Sequence, residues 1–305
     1  IIPNTVTSIG EEAFYECSSL TQITMSNAVE TIGSNAFNKT AITSITLPST
    51  LISLGEYAFY ECKQLTEITI PGNLSSIAAK TFYNCTSLRK LVIEEGVKTI
   101  GANAFEGCSK LNDITIPEGV TSIDINAFQG CSRITEISLP SSLINLGGSV
   151  FYGCSSLASI VIPDKITSIE NHTFYGCTSL KEVTLPQTIL KIEEYAFRDC
   201  AFTQFTIPSS ATEIQAYAFS YCKNLTSITL PSGMTKIPNN LFDHCSSLTS
   251  IVIPEGVTAI ETGAFWECTS LTSVTIPEGV TSIYGEAFYN CNLLTLSLPN
   301  SLEVI

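Results

Sequence analysis

Phenylalanine recurs at positions 14, 37, 59, 82, 105, 128, 151, 174, 197, 219, 242, 265 and 288, in steps of 23 residues broken twice by a step of 22. Around each stands a variant of L-T-S-I-T-I-P-E-G-V-T-S-I-G-E-x-A-F-Y-G-C-S-S. A unit this short cannot bury an apolar face by itself, so the copies must stack and share a core. The chain is therefore expected to form a single solenoid of about 13 repeats over residues 1–305.

Each unit carries two kinds of pattern. In Leu111-Asn112-Asp113-Ile114-Thr115-Ile116-Pro117, Ile114 and Ile116 alternate with Asp113 and Thr115 at the strand period of two. Pro117 lacks an amide hydrogen and ends the ladder, and Glu118-Gly119 supplies a turn. Val120 and Ile123 then point back to the core from a second extended stretch. In Ile9-Gly10-Glu11-Glu12-Ala13-Phe14-Tyr15-Glu16-Cys17, by contrast, the apolar residues fall at i, i+4, i+5 and i+8. That spacing predicts one face of a short helix or 3₁₀ turn, with glutamates at its positive end. The expected fold is an α/β repeat solenoid, a horseshoe with a parallel sheet on its concave side and short helical or 3₁₀ turns on its convex side. The 22-residue steps before Phe59 and Phe219, and the early Pro299 after Cys291, each drop a residue between the cysteine position and the next strand. A turn tolerates that loss, whereas a strand would have its faces inverted.

Both ends fall inside a repeat. Ile1-Ile2-Pro3 matches a strand end and Glu303-Val304-Ile305 stops just before the next glycine would come, with no cap at either end. A solenoid needs caps over its outermost coils. The expectation is an array truncated at both ends.

Hydrophobic residues make up 44% of the chain, enough for a long core. Apolar runs are interrupted every few residues by Thr, Ser, Pro or Gly, so no stretch of about 20 residues reads as a membrane span. The 28 acidic residues outnumber the 14 basic ones and leave a net charge of −14. Nucleic acid binding rests on clustered Lys and Arg, and composition gives no basic patch, so nucleic acid is set aside as a partner. Only His172 and His244 are present, and there is no Gly-rich phosphate loop, nucleophile elbow or His-Glu-x-x-His. Neither an enzyme nor a cofactor or metal site is expected.

The A-F-x-x-C turn, joined to L-T-S-I-T-I-P and V-T-S-I-G, resembles the BspA-like family of leucine-rich repeats over essentially all 305 residues. Ordinary leucine-rich repeats carry Asn at the strand exit, where this chain has Pro. The resemblance implies surface-exposed or secreted proteins of host-associated microbes that adhere to host proteins and to other cells. Departures are few: Thr40 replaces Cys, Ser26 and Glu94 replace Pro, and Thr81 and Thr173 replace Ala before Phe.

Twelve cysteines, one per coil from Cys17 to Cys291, would stack about one strand spacing apart with parallel Cα–Cβ vectors, roughly 5 Å. Disulfides need closer Cβ atoms turned toward each other, so a ladder of buried free thiols is expected. The outward strand positions are the candidate binding face, in particular Glu67, Lys90, Asp113, Glu136 and Glu182 in one row and Thr69, Thr115 and Thr184 in the next. Thr and Ser are also what an exposed strand carries for β-propensity alone. Glu67, Lys90 and Asp113 alternate in sign, while Asp113 beside Glu136 offers only two carboxylates to a cation, fewer than Ca²⁺ wants. A second candidate row, Tyr60, Tyr83, Tyr152, Tyr175 and Trp266, follows the core phenylalanines and reads either as binding anchors or as cover for the seams between coils. Five N-x-S/T sequons start at Asn38, Asn73, Asn84, Asn171 and Asn224.

The function these observations favour is a non-enzymatic recognition and adhesion module that presents its concave face to a host or neighbouring-cell protein, on a cell surface or secreted. The alternatives are a structural spacer, or a solenoid that assembles with further copies through open ends. Ice or polysaccharide binding by the Thr array ranks lower, because curvature spoils a lattice match.

Overall fold

Two strand passes and one turn-rich pass close each coil in the computed structural model, which describes residues 1–305. The chain divides into two compact units, Ile1–Lys165 and Ile166–Ile305. The repeat step of 23 from Phe151 to Phe174 runs through that boundary unchanged in the sequence.

In the first unit the wider strands are Glu67–Ile70, Lys90–Ile93 and Asp113–Thr115, paired in parallel with Glu67 opposite Lys90 and Lys90 opposite Asp113. The alternation read from the sequence sets their faces. Ile68 and Ile70 are buried while Glu67 and Thr69 are exposed. The second pass forms its own parallel sheet of two-residue strands, Ser76–Ile77, Thr99–Ile100, Ser122–Ile123 and Asn145–Leu146, which matches the extended stretch expected at Val120–Ile123. The second unit repeats the scheme. Ser250–Val252, Ser273–Thr275 and Thr295–Ser297 form one sheet, and Lys236–Ile237, Ala259–Ile260 and Ser282–Ile283 form another. Where a residue is dropped at Cys200-Ala201-Phe202, the following strand still meets its neighbour in register, Gln204 opposite Ser227.

The expected helical or 3₁₀ turns are absent, because the structure contains no helix. Two features prevent one. The residues two before and two after each phenylalanine take positive φ, as at Asn103 (58°) and Gly107 (73°) around Phe105, which breaks the run of right-handed conformation a helix needs. Alternate amides also leave the coil: Asn103, Phe105 and Gly107 donate to the carbonyls of Ile125, Ala127 and Gln129 on the next coil at 2.8–3.0 Å. The amides between them, on Ala104, Glu106 and Cys108, close successive i−3 turns at 3.1–3.2 Å. This side of the coil is thus a ladder of β-turns. Twenty-one non-glycine residues adopt the left-handed conformation. At about 1 kcal/mol or more each, that strain must be offset by the bonds between coils.

The core is a stack of rows. Phe82 and Phe105 lie with ring centroids 5.3 Å apart and planes 2° from parallel, and Phe265 and Phe288 repeat that geometry in the second unit. Leu88 and Leu111 form a neighbouring row that is completely buried.

Candidate functional site

The outer face of the wider strands carries most of the candidate residues. Glu67, Lys90 and Asp113 sit side by side in register, and the Lys90 ammonium lies 3.7 Å from the Asp113 carboxylate. Both side chains are more than half exposed, so the pair contributes little to stability and stays available to a partner. Thr69, Val92 and Thr115 form the adjoining row. Glu136 follows one coil on, in a segment outside regular strand. It lines a groove of about 770 Å³ with Ile137, Ser138, Ile160, Val161 and Pro163. Val161 there is 64% exposed, an apolar side chain standing among serines. No group of three or more acidic, cysteine or histidine side chains converges as metal ligands. Glu182 and Thr184 are exposed on the strand Glu182–Thr184 of the second unit.

The aromatic row lies on the turn ladder. Tyr60 and Tyr83 stack at 4.9 Å with planes 3° apart, and Trp266 stacks on Tyr289 at 4.1 Å. Tyr175 lies under the Arg198 guanidinium at 5.6 Å, and Tyr152 is half-buried. Tyr60 with Tyr83 and Trp266 with Tyr289 thus pack face to face across neighbouring coils. Sequence reasoning missed a second set. Tyr195 stacks on Tyr217 at 4.8 Å, Tyr221 on His244 at 4.3 Å, and Arg198 sits 4.3 Å above Tyr221. Tyr195, Tyr217, Tyr221 and His244 stand two before or two after a core phenylalanine, at the positive-φ positions that a helical reading could not identify. Burial and the nearby Arg198 charge hold the His172 imidazole below its ordinary pKa, which keeps it neutral at pH 7.

The cysteine ladder is built by the same turns. All twelve thiols are unbridged. Within each unit the thiols donate to phenylalanine carbonyls of the preceding coil, as Cys108 does to Phe82 and Cys131 to Phe105, both at 3.2 Å. Where Thr40 replaces cysteine, its hydroxyl donates to the Phe37 carbonyl in its own coil at 2.9 Å and lies 3.3 Å from the Cys62 sulfur. Desolvation pushes the Cys62 thiol up to about 11 and Cys154 and Cys222 up to about 12, far from the low values of reactive cysteines.

The profile of the BspA type leucine rich repeat region matches the chain over residues 1–112, 98–225 and 190–305. The chain belongs to the BspA-type leucine-rich repeat proteins. A leucine-rich repeat protein from Bacteroides ovatus is 30% identical, with a TM-score of 0.67 over 87% of this chain and 81% of that one. A leucine rich cell surface protein from Faecalibacterium prausnitzii is 28% identical, with a TM-score of 0.50 over 95% and 86%. The pneumococcal vaccine antigen PcpA, 18% identical with a TM-score of 0.57 over 98% and 84%, shares the fold. No curated protein matches the chain. Leucine-rich repeat proteins generally bind proteins, and no helix here is long and apolar enough to cross a membrane.

Proposed function

We propose that this chain is a non-enzymatic adhesion module of a cell-surface or secreted protein, which recognises a host or neighbouring-cell protein through the outer strand face. The observation that carries this reading is the juxtaposition in the first unit of exposed charges, Glu67, Lys90, Asp113 and Glu136, with the groove beside Val161. Charges at the rim steer and select a protein partner, while an apolar side chain from that partner fills the groove. A standard interface takes about 800 Å² from each partner, which several adjacent coils supply without a deep pocket. Family membership and a relative named as a cell surface protein support the location.

Immobilised extracellular-matrix and cell-surface proteins, screened by biolayer interferometry, should include at least one saturable binder. Against that binder, Lys90→Glu and Val161→Asp should each weaken affinity by at least about fivefold, or 1 kcal/mol, while the melting temperature stays unchanged. A screen without binders, or a binder indifferent to both substitutions, would remove the strand face from the mechanism and favour a structural spacer.

A further inference from the structure

Three cations converge at one edge of the first unit. Arg89, Lys110 and Arg133 line, with Asn112, a notch of about 250 Å³. Lys110 and Arg133 each stand two residues after a ladder cysteine, Cys108 and Cys131, while Arg89 and Asn112 stand four residues after Cys85 and Cys108. The four side chains are therefore neighbours on three successive coils, where the turn ladder passes into the strand. Beneath them the Asn112 amide donates to the Arg89 carbonyl at 3.1 Å, which fixes one coil against the next. All four residues are exposed.

These cations depart from the repeat's own pattern. The position two after the cysteine is Ser, Gln or Asn in the other full-length coils, as at Ser19, Gln64, Ser87, Ser156, Asn224 and Ser247, and an apolar residue, Phe202 or Leu293, where a residue is dropped. The position four after it is mostly Thr, as at Thr21, Thr66, Thr135 and Thr226, with Lys181 the other cation. A stacking requirement would act on every coil alike, so the departure on consecutive coils needs a different cause. None of the three is neutralised. The ion pairs of Lys90 with Asp113, Lys39 with Glu16 and Lys191 with Glu193 involve other residues, as do all the rest. Keeping three like charges together and unpaired, in a chain whose acids outnumber its bases two to one, raises the energy of the empty notch.

We propose that this notch binds one tetrahedral oxyanion, a sulfate or phosphate monoester carried on a sugar. Two guanidinium forks present parallel N–H pairs to tetrahedral oxygens, and Lys110 adds a mobile point charge. A carboxylate, with two oxygens in one plane, would engage one fork and leave two cations without an acceptor. At roughly 30 Å³ per water, the notch has room for about eight waters, enough for the five heavy atoms of the oxyanion, and the sugar ring lies at the open mouth beside the exposed Asn112. The Asn112 amide supplies both a donor and an acceptor for a ring hydroxyl. A long polyanion fits less well, since a net charge of −14 repels it beyond the three cations.

Isothermal titration at low ionic strength, on the full chain, tests this with inorganic sulfate, inorganic phosphate, N-acetylglucosamine 6-sulfate, glucose 6-phosphate and unmodified N-acetylglucosamine. Both sugar esters or one of them should bind at one site per chain, and the stronger ester identifies the source of the oxyanion. Replacing Arg89, Lys110 and Arg133 together by Gln should weaken that binding at least about tenfold, the loss of more than one charge-assisted contact. The equally discharged set Lys98→Gln, Lys181→Gln and Lys223→Gln should leave it within about twofold. Should the triple notch variant fail to fold, Lys110→Gln alone reads the same site, because its side chain makes no structural bond. Absence of saturable binding by either ester would overturn the assignment. So would equal loss in the control set, binding of the unmodified sugar, or a single-stranded oligonucleotide that binds more tightly than the esters. None of these variants alters Glu67, Lys90, Asp113, Glu136 or Val161, so notch and strand face stand or fall separately.

Discussion

The Cys85 thiol donates its hydrogen to the carbonyl oxygen of Phe59, one coil back, across 3.2 Å. The cysteine row is thus a line of cross-coil hydrogen bonds as well as a packing row, and it ties side chain to backbone at the point where the turn ladder ends. Reactivity follows from position. Cys17 on the first coil is exposed, Cys291 on the last is half-covered, and the ten between are buried. A thiol reagent should modify Cys17 promptly and Cys291 slowly in the native protein, and all twelve after denaturation. Mass spectrometry of the labelled peptides checks this, and prompt labelling of Cys108 or Cys131 would contradict the buried ladder.

Alkaline pH should dismantle the molecule. Burial raises the interior thiols, Cys62 to about 11 and Cys154 and Cys222 to about 12, with Cys85, Cys108 and Cys131 also well above the ordinary value. In the unfolded chain a thiol ionises near pH 8.5. Between the unfolded and folded values the unfolded chain holds fewer protons, so each buried thiol lowers stability as pH rises, by up to about 1.4 kcal/mol per pH unit. The melting temperature should be level from pH 6 to 8 and then fall by more than about 20 °C by pH 10.5, at roughly 2–4 °C per kcal/mol. A pH-independent melting temperature would show that water reaches the thiols.

Thr40 marks where one hydroxyl substitutes for a thiol. Thr40→Val keeps the shape and removes the 2.9 Å bond to the Phe37 carbonyl, which still accepts from Cys62 at 3.1 Å. The expected cost is about 1 kcal/mol, measured by urea unfolding. Thr40→Cys should be closer to neutral, because it restores the residue found in the other coils.

Gly96 holds φ at +118°, and a Cβ built there would lie 2.1 Å from the Gly72 carbonyl oxygen of the preceding coil. Gly96→Ala should therefore destabilise the protein by about 1–3 kcal/mol. Gly285→Ala meets nothing within 4 Å and serves as the control, neutral or slightly stabilising. Equal effects in the two variants would exclude backbone crowding as the cause.

The strand passes were legible because their period of two is a property of side-chain direction: Ile68, Leu91 and Ile114 are set inward and Glu67, Lys90 and Asp113 outward by alternation alone. The turn ladder was misread for a related reason. Ile9, Ala13, Phe14 and Cys17 have helical spacing, but the hydrogen bonds that decide the conformation run to another coil, and no local window contains their acceptors. One local signal was available. Asparagine occupies positions 35, 84, 103, 126, 240 and 290, two residues from a core phenylalanine, and asparagine tolerates the left-handed conformation better than most side chains. The basic notch escaped because an acidic composition averages over the whole chain, while Arg89, Lys110 and Arg133 meet only once coils are stacked.

Main-chain hydrogen bonds join the turn segments of neighbouring coils, as between Phe105 and Ala127, and such a joint is indifferent to the identity of the side chains outside it. Insertion or deletion of a whole coil therefore leaves every surviving joint able to re-form, and shifts a neighbouring coil by one increment of about 4.8 Å. Reach becomes a heritable variable separate from chemistry. Surface residues such as Lys90 and Arg133 are then free to diverge copy by copy, so a lineage can alter what it holds and how far away it holds it by independent mutations.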